Sequence, residues 1–234
     1  MTAEIPCVTA AQMREIDRIM ISELHIDLMQ MMENAGRNLA QLAIQRFGPA
    51  RCTVLAGGGG NGGGGLVAAR HLQNRGVGTR VVLAAPAEAL TLTAAHQLDI
   101  LERMGVAIDD APSPADLVID ALIGYSLDGD PHGEIGALIR WTNRQPSPVL
   151  SLDTPSGLDV TTGDAFDPCV VATATLTLAL PKCGLLRAAS LVGELWLADI
   201  SVPSVAFQRI GLSVPQLFTS DSMMRVPAAT TKDA

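Results

Sequence analysis

The sequence predicts a three-layer α/β/α protein, in which a mostly parallel sheet lies between helices and follows an N-terminal pair of helices. From residue 52 onward, short apolar runs alternate with segments of helical length, which is typical of parallel sheets covered by helices on both faces. Runs such as VVLAA at 81–85 show little alternation of apolar and polar residues. Strands buried on both faces have this pattern, so the sheet is expected to be parallel.

The N-terminal pair of helices is predicted from capping and periodicity. Thr9, with Gln12 three residues later, forms a capping box ahead of apolar residues at helical spacing. A second helix is predicted from Asp27 to Phe47, because a Gly-Pro pair follows Phe47 and such pairs commonly end helices.

Six strands are predicted in the rest of the chain, with helices over 66–76, 88–104 and 134–144. Residues 1–218 are predicted to form one domain. Residues 219–234 are small and polar with no core to join, so they are predicted to be a flexible tail or linker. The predicted strands are 52–56, 79–85, 117–123, 148–153, 173–180 and 194–200.

Composition and charge exclude several classes of protein. The net charge of -8, without any cluster of Lys and Arg, argues against a nucleic-acid partner. No apolar run is long enough to cross a membrane, and the N-terminus has no secretory signal, so a cytoplasmic location is expected. The cysteines have no CxxC spacing or nearby His partner, so we expect free thiols in a reducing compartment. They are Cys7, Cys52, Cys169 and Cys183.

The glycine-rich segment 57–65, GGGGNGGGG, follows the first predicted strand and leaves Asn61 as its only side chain. Ordering a glycine costs about 0.5 to 1 kcal/mol more than ordering an alanine, so the segment needs a compensating purpose. A loop of unhindered backbone N–H groups ahead of a helix would bind a phosphate or pyrophosphate. The alternative is a turn that only permits close packing of strand and helix. The segment lacks the Lys of a P-loop and the ribose-binding acid of a dinucleotide fingerprint, which disfavours an NAD-dependent oxidoreductase.

Polar residues follow three of the predicted parallel strands, at Asn61, Asp120, and Asp153 with Ser156. Ligands of doubly wound sheets bind at the carboxyl ends of the strands, so these residues mark a candidate site. Amide, carboxylate and hydroxyl oxygens form a set that suits a hard cation. Alternatively, the two acids cap neighbouring loops or helix starts. No histidine has a spacing that ties it to Ser156 in a hydrolase triad, and only His132 is near the proposed pocket.

Five stretches together resemble one family in their order and spacing: TAAQMREID with MMENAG, GGGGNGGGGLVAARHL, DALIGYSL, SLDTPSGLDVTTG and ALPKCGLL. Over about residues 8–203, the chain is similar to the NAD(P)H-hydrate epimerases, the YjeF N-terminal domain family. The resemblance implies a Rossmann-like α/β/α fold and a homodimer. It also implies metabolite repair, in which the R and S epimers of hydrated NADH and NADPH are interconverted so that a dehydratase can act.

The resemblance also implies roles for individual residues. Asn61, Asp120 and Ser156 would hold a potassium ion, and Asp153 is the best candidate for the catalytic acid or base. The residues that would contact the hydrated dinucleotide are Gly60, Asn61, Gly62, Gly63, Gly64, Gly124, Tyr125, Ser126, Leu127, Asp128, Gly129, Asp130 and Asp153.

The chain departs from the family pattern at two motifs. Gly60 and Gly64 stand where GxGNNGGDGL has Asn and Asp, and GYSL, with Tyr125 and Ser126 as the changes, stands where GTGL is common. A catalytically impaired dinucleotide-binding module, acting as a sensor or scaffold, is therefore the alternative function. Asp128 or Asp130 is a candidate substitute carboxylate.

Two further segments are interpreted through the same resemblance. Lys182 either contacts ligand phosphate or caps a strand end, and the sequence does not separate these roles. The terminal VPAATTKDA is similar to the linker that leads into a dehydratase domain in two-domain relatives, so a dehydratase domain or protein is an expected partner.

Overall fold

The computed structural model describes residues 5–227, which form one eight-stranded sheet in the order β3-β2-β1-β4-β5-β6-β7-β8. Neighbouring strands are parallel except at the edge, where β8 runs antiparallel to β7. The predicted mostly parallel sheet is therefore confirmed. The strands are β1 (Arg51–Ala56), β2 (Gly78–Leu83), β3 (Ala107–Asp109), β4 (Leu117–Ala121), β5 (Val149–Leu152), β6 (Ala174–Leu178), β7 (Glu194–Ala198) and β8 (Met223–Arg225).

Helices cover both faces of the sheet, as the predicted Rossmann-like three-layer fold requires. Leu39, Leu66 and Leu98, from three helices, pack on one face, whereas Leu138 and Ile139 pack on the other. The helices are α1 (Ala10–Arg18), α2 (Leu28–Phe47), α3 (Gly60–Gln73), α4 (Leu92–Arg103), α5 (Gly133–Thr142), α6 (Ala189–Val192) and α7 (Ser204–Arg209); α1 continues as a π-helix over Ile19–Glu23, and a 3₁₀ turn spans Ala87–Ala89. None of these helices within residues 5–227 has the length and apolarity that crossing a bilayer demands.

The predicted N-terminal helices are both confirmed. The Thr9 hydroxyl accepts from the Gln12 backbone N–H at 3.3 Å, and the Gln12 side chain accepts from the Thr9 N–H at 2.9 Å. Gly48 ends α2 in the left-handed conformation, with φ of 55°. Local hydrogen-bonding groups therefore determine both boundaries.

Part of the predicted flexible tail is ordered, which corrects that prediction for Met223–Arg225. These residues form β8, in which Met224 pairs with Leu197 of β7. A three-residue strand is too short to show an alternating pattern of apolar and polar residues. Pairing with β7 stabilises it. Residues 228–234 lie outside the described residues, and the domain boundary at 218 stays a prediction.

Two of the four expected free thiols are instead joined, because Cys7 and Cys183 form a disulfide across 176 residues of sequence. The segment around Val8 lies beside Lys182 as an isolated parallel bridge, with the Val8 N–H donating to the Pro181 carbonyl at 2.9 Å. This contact between distant segments brings the two sulfur atoms together, and no local spacing reveals it. Cys52 and Cys169 remain free.

The glycine-rich segment is not the predicted open loop, because α3 begins at Gly60 and continues through the remaining glycines. A Cβ on Gly57 would lie 1.9 Å from the Leu122 carbonyl oxygen, and one on Gly62 would lie 1.7 Å from the Gly57 carbonyl oxygen. A Cβ on Gly65 would lie 2.5 Å from the Ala121 Cβ. Close packing of α3 against β1 and β4 therefore requires several of these glycines, which was the alternative explanation from sequence.

Candidate active site

A cavity of about 370 Å³ lies at the carboxyl end of the parallel strands, beneath α1 and α2. Apolar side chains from the two helices, including Met13, Met31 and Met32, form much of its wall. Its polar side chains come from five different segments of the chain, which the topology brings to one edge of the sheet. They are Asp17, Asn61, Tyr125, Asp153 and Lys182, together with Ser126.

Asp153 and Lys182 form a buried ion pair on this wall. The Lys182 ammonium contacts Asp153 Oδ1 and also donates to the Leu178 carbonyl at 2.8 Å and to Thr177 Oγ1 at 3.2 Å. Lys182 is fully buried and Asp153 is 3% exposed. Lys182 therefore binds the end of β6, as one of its two predicted roles required, and also orients Asp153.

The other oxygen of Asp153 is held by the backbone of Tyr125, whose N–H donates to Oδ2 at 3.1 Å. Asp153 itself has a φ of 67°. Aspartate adopts this left-handed conformation more readily than most residues, so position 153 suits an aspartate. The Lys182 and Tyr125 contacts then fix the carboxylate in the cavity wall.

Tyr125 also contacts an acid that the sequence did not single out. Its hydroxyl donates to Asp17 Oδ2 at 2.5 Å. Burial raises the pKa of Asp17 above its usual value; the Tyr125 hydrogen bond and the charge of Lys182 partly oppose this, and the charge of Asp153 adds to it. The pKa of Tyr125 is raised as well, first by burial and then by Asp17.

Asp17 had a sequence signal, although it was weak. The residue lies four positions after Met13 and three before Met20, both of which are buried. Residues at these spacings share one face of a helix. An acid on the apolar face of a helix therefore marks a buried carboxyl that needs a partner.

Asp120 is fully buried and accepts four hydrogen bonds. The Ser156 hydroxyl donates to Oδ1 at 2.6 Å and the Ser151 hydroxyl donates to Oδ2 at 2.8 Å; the backbone N–H groups of Ser156 and Leu122 complete the set. Burial raises the pKa of Asp120, and these hydrogen bonds oppose that rise. This geometry agrees with the alternative prediction for Asp120, a structural cap between β4 and the loop after β5.

Asn61 lies in the first turn of α3, and its Nδ2 is buried without a hydrogen-bond partner. Gly124 fits beside it, since a Cβ there would be 3.4 Å from Asn61 Cγ and 3.2 Å from Asp153 Oδ2. The preceding residue, Ile123, donates its N–H to Ser156 Oγ at 2.9 Å. Segment 123–124 therefore lies between Asn61 and the Asp120–Ser156 pair.

The donor chemistry of this region fits a hard cation. Oxygen atoms of Asp120, Ser156 and the Ile123 backbone lie together, with Ser156 Oγ 3.3 Å from the Ile123 carbonyl oxygen. A half-turn of the Asn61 amide would place its oxygen at the unpaired buried position. Residues 5–227 contain no cluster of three His, Cys, Asp or Glu side chains for a transition metal.

The other residues in the predicted contact set divide between the cavity and its surroundings. Gly60, Gly64 and Ser126 line the cavity. By contrast, Gly62 packs on Gly57, and Gly63 faces Met32 and Ala94.

Within residues 5–227, the end of the 124–130 segment is not part of the cavity lining; it comprises Leu127, Asp128, Gly129 and Asp130. Asp130 instead accepts from the Asp167 N–H at 3.1 Å, and His132 precedes α5 at the surface. Neither Asp128 nor Asp130 supplies the substitute carboxylate in this arrangement.

Comparison with known proteins shows the family of this chain. The family model described as YjeF-related protein N-terminus matches residues 28–184. The chain belongs to this family. Its members include an NAD(P)H-hydrate epimerase of Dehalogenimonas lykanthroporepellens, 47% identical over 213 residues, which cover 88% of this chain and 86% of that protein.

Longer relatives carry the same region as one part. The bifunctional NAD(P)H-hydrate repair enzyme Nnr of Moorella thermoacetica is 39% identical over 84% of this chain, which spans 40% of that enzyme. The crystal structure of the yeast protein YNL200c superposes with a TM-score of 0.81, covering 95% of this chain and all of that one. At 22% identity, this last match concerns the fold.

Proposed function

We propose that the protein is an NAD(P)H-hydrate epimerase that interconverts the R and S epimers of hydrated NADH and NADPH. The observation that carries the proposal is the buried Asp153–Lys182 pair, which holds a carboxylate in the wall of the strand-end cavity. The 47% identity to a protein named NAD(P)H-hydrate epimerase supports the substrate. The bifunctional relatives support a place in metabolite repair beside a dehydratase.

Epimerisation at a carbon that bears a hydroxyl next to a ring nitrogen requires one bond to break and reform on the other face. Either the carbon–nitrogen bond opens or the hydroxyl leaves as water. Both routes need a base and an acid, and a positioned group speeds such a proton transfer by about 10² to 10⁴. Asp153, oriented by Lys182 and by the Tyr125 N–H, is the proposed base.

Binding of the dinucleotide is proposed at the start of α3 and along residues 124–126, which line the cavity. The first intrahelical bond of α3 runs from the Gly63 N–H to the Gly59 carbonyl at 3.0 Å. The N–H groups of Gly60, Asn61 and Gly62 thus precede the helical bonding pattern, and helix N-termini favour anions.

A homodimer and a cytoplasmic location remain part of the proposal.

The function is tested by supplying mixed R and S hydrated NADH with an S-specific dehydratase and following the return of NADH. After the S epimer is consumed, micromolar enzyme is expected to speed conversion of the remaining R epimer above its spontaneous rate. Conversion at the spontaneous rate would contradict the proposed function.

The sensor or scaffold alternative rests on Gly60 and Gly64, and Gly64 lacks the family carboxylate. A side chain at position 64 requires Leu152 to move, because a Cβ there would lie 2.8 Å from Leu152 Cδ2; that atom is the end of a flexible side chain, so a small shift suffices. If the enzyme already works through Asp153, Gly64→Asp should change the epimerase rate by less than about tenfold. If the site is impaired, the same substitution should raise the rate by about 100-fold or more, which is the size of a typical proton-transfer contribution.

Potassium is proposed as the cation held by Asn61, Asp120 and Ser156, where its charge would stabilise the β4–α5 and β5–β6 loops around the substrate. We expect potassium to raise the melting temperature relative to sodium. At 100 times its dissociation constant, a ligand adds about 2.7 kcal/mol, or roughly 5 to 10 °C for a chain of this size. Differential scanning fluorimetry in matched potassium and sodium chloride measures this difference.

The matched variants are Asn61→Ala and Asn74→Ala, at opposite ends of α3. The first should abolish the potassium-specific shift, because the amide at position 61 has a buried unpaired atom. The second, at an exposed position, should keep it. Equal melting temperatures in the two salts would overturn the potassium site.

A further inference from the structure

The cavity contains a second carboxyl group, Asp17, which reaches it from a different layer of the fold than Asp153. Asp17 belongs to α1, which lies over the strand ends, whereas Asp153 follows β5 in the sheet. Both side chains line the same cavity of about 370 Å³. Two carboxyl groups from separate walls therefore face one ligand volume.

We propose that Asp17 is the second proton-transfer group of this site, acting as the acid while Asp153 acts as the base, with Tyr125 as its positioning residue. This inference rests on the proposed epimerase function. It adds a catalytic residue from α1 to the residues at the strand ends.

Tyr125 sets the relative placement of the two acids. Its backbone N–H donates to Asp153 Oδ2 at 3.1 Å, and its hydroxyl donates to Asp17 Oδ2 at 2.5 Å. Tyr125 therefore links the two carboxyl groups through its backbone and its hydroxyl. All three residues line the cavity, so a ligand bound there would meet one carboxyl group from each wall.

The two carboxyl groups have different partners, which suits opposite roles. Lys182 forms its ion pair with Asp153, whereas the hydrogen bond of Asp17 comes from the neutral Tyr125 hydroxyl. Burial raises the pKa of Asp17, and among the facing groups Tyr125 and Lys182 lower it while Asp153 raises it. The charge of Arg14, on the same helix, lowers the pKa of Tyr125. Pairs of acids in unlike environments commonly divide acid and base roles in this way.

The ring-opening route balances with these two groups alone. Asp153 takes the hydroxyl proton, the carbon–oxygen bond becomes a carbonyl, and the carbon–nitrogen bond breaks. Its electron pair goes to the ring nitrogen, which takes the proton of Asp17. After rotation about the adjacent carbon–carbon bond, the nitrogen attacks the other face of the carbonyl, the oxygen regains a proton from Asp153, and Asp17 is reprotonated by the nitrogen. No electron is gained or lost.

The test compares Asp17→Asn and Asp17→Glu with wild-type protein in the coupled epimerase assay. Asp17→Asn should lower kcat by about 10² to 10⁴ with a much smaller change in KM, and Asp17→Glu should restore part of the rate. The wild-type rate should fall on the alkaline side as Asp17 loses its proton, and Asp17→Asn should lack that limb. Asp110→Asn, an exposed acid just after β3, is the matched control and should behave as wild type.

Tyr125→Phe supplies an independent test that also applies if Asp17→Asn does not fold. The Tyr125 hydrogen bond lowers the pKa of Asp17, so its removal should move the alkaline limb to higher pH. An unmoved limb would overturn the inference, as would an Asp17→Asn rate within about threefold of wild type. A wild-type rate equal to the spontaneous rate would instead overturn the proposed function, and the inference with it.

Discussion

Gly62→Ala is expected to prevent stable folding. The added Cβ would lie 1.7 Å from the carbonyl oxygen of Gly57 and 2.5 Å from its carbonyl carbon, so backbone rather than a flexible side chain would have to move. Small proteins have only about 5 to 15 kcal/mol of stability, and we expect a loss of more than about 4 kcal/mol. Urea unfolding followed by circular dichroism measures it.

The same glycine-rich segment provides the matched control. A Cβ on Gly60 would have no atom within 4 Å, and Gly60 is the first residue of α3. Gly60→Ala should therefore leave stability unchanged or raise it by about 0.5 to 1 kcal/mol, since alanine loses less backbone entropy on folding. If Gly62→Ala unfolds at the same urea concentration as Gly60→Ala, close packing is not the reason for the glycines.

Asp153→Asn is expected to lower the epimerase rate by about 10² to 10⁴ and to destabilise the protein by about 3 to 5 kcal/mol. The rate falls because the proposed base is lost. Stability falls because the ammonium of Lys182, which is fully buried, loses its counter-charge. Asparagine tolerates the left-handed backbone of position 153 as well as aspartate does, so the backbone adds little to the effect.

A double variant separates these two effects. Asp153→Asn with Lys182→Met removes both charges, which should recover much of the stability without recovering the rate. Asp110→Asn, an exposed acid beyond β3, should change neither quantity. A folded Asp153→Asn protein that keeps the wild-type rate would remove Asp153 from the mechanism. Chemical unfolding and the coupled assay, applied to all three variants, measure both quantities.

Most helices and long strands were predictable because their signals are local. The capping box at Thr9 and the helix end at Gly48 depend on hydrogen bonds between neighbours in sequence. The apolar runs of β1 and β4 mark strands buried on both faces. Polar residues near the carboxyl ends of the parallel strands, such as Asn61 and Asp120, located the edge of the sheet where the cavity lies, and this followed from parallel topology.

In the glycine-rich segment, the local preference of glycine for loops gave the wrong prediction for the start of α3. Glycine is among the poorest helix formers, so a loop was the reasonable prediction from sequence. In the structure, α3 nevertheless begins at Gly60. Glycines occur in this helix because it approaches Gly57 and Ala121 so closely that there is no space for Cβ atoms. Contacts of this kind override propensity, and they are set by elements that lie far apart in the sequence.

By itself, the sequence predicted the two N-terminal helices, six of the eight strands, the family resemblance, and the edge of the sheet that carries Asn61, Asp120 and Asp153. The helix and strand signals depend on patterns within a few residues, whereas the three-residue strands β3 and β8 are too short to show one. Only the tertiary structure showed that Lys182 pairs with Asp153, that Asp120 accepts four hydrogen bonds, and that Asp17 lines the cavity beside Tyr125. The partners in these contacts come from separate layers of the fold. A buried charge is stabilised by whichever groups the packed chain places against it, and sequence distance carries no information about that choice.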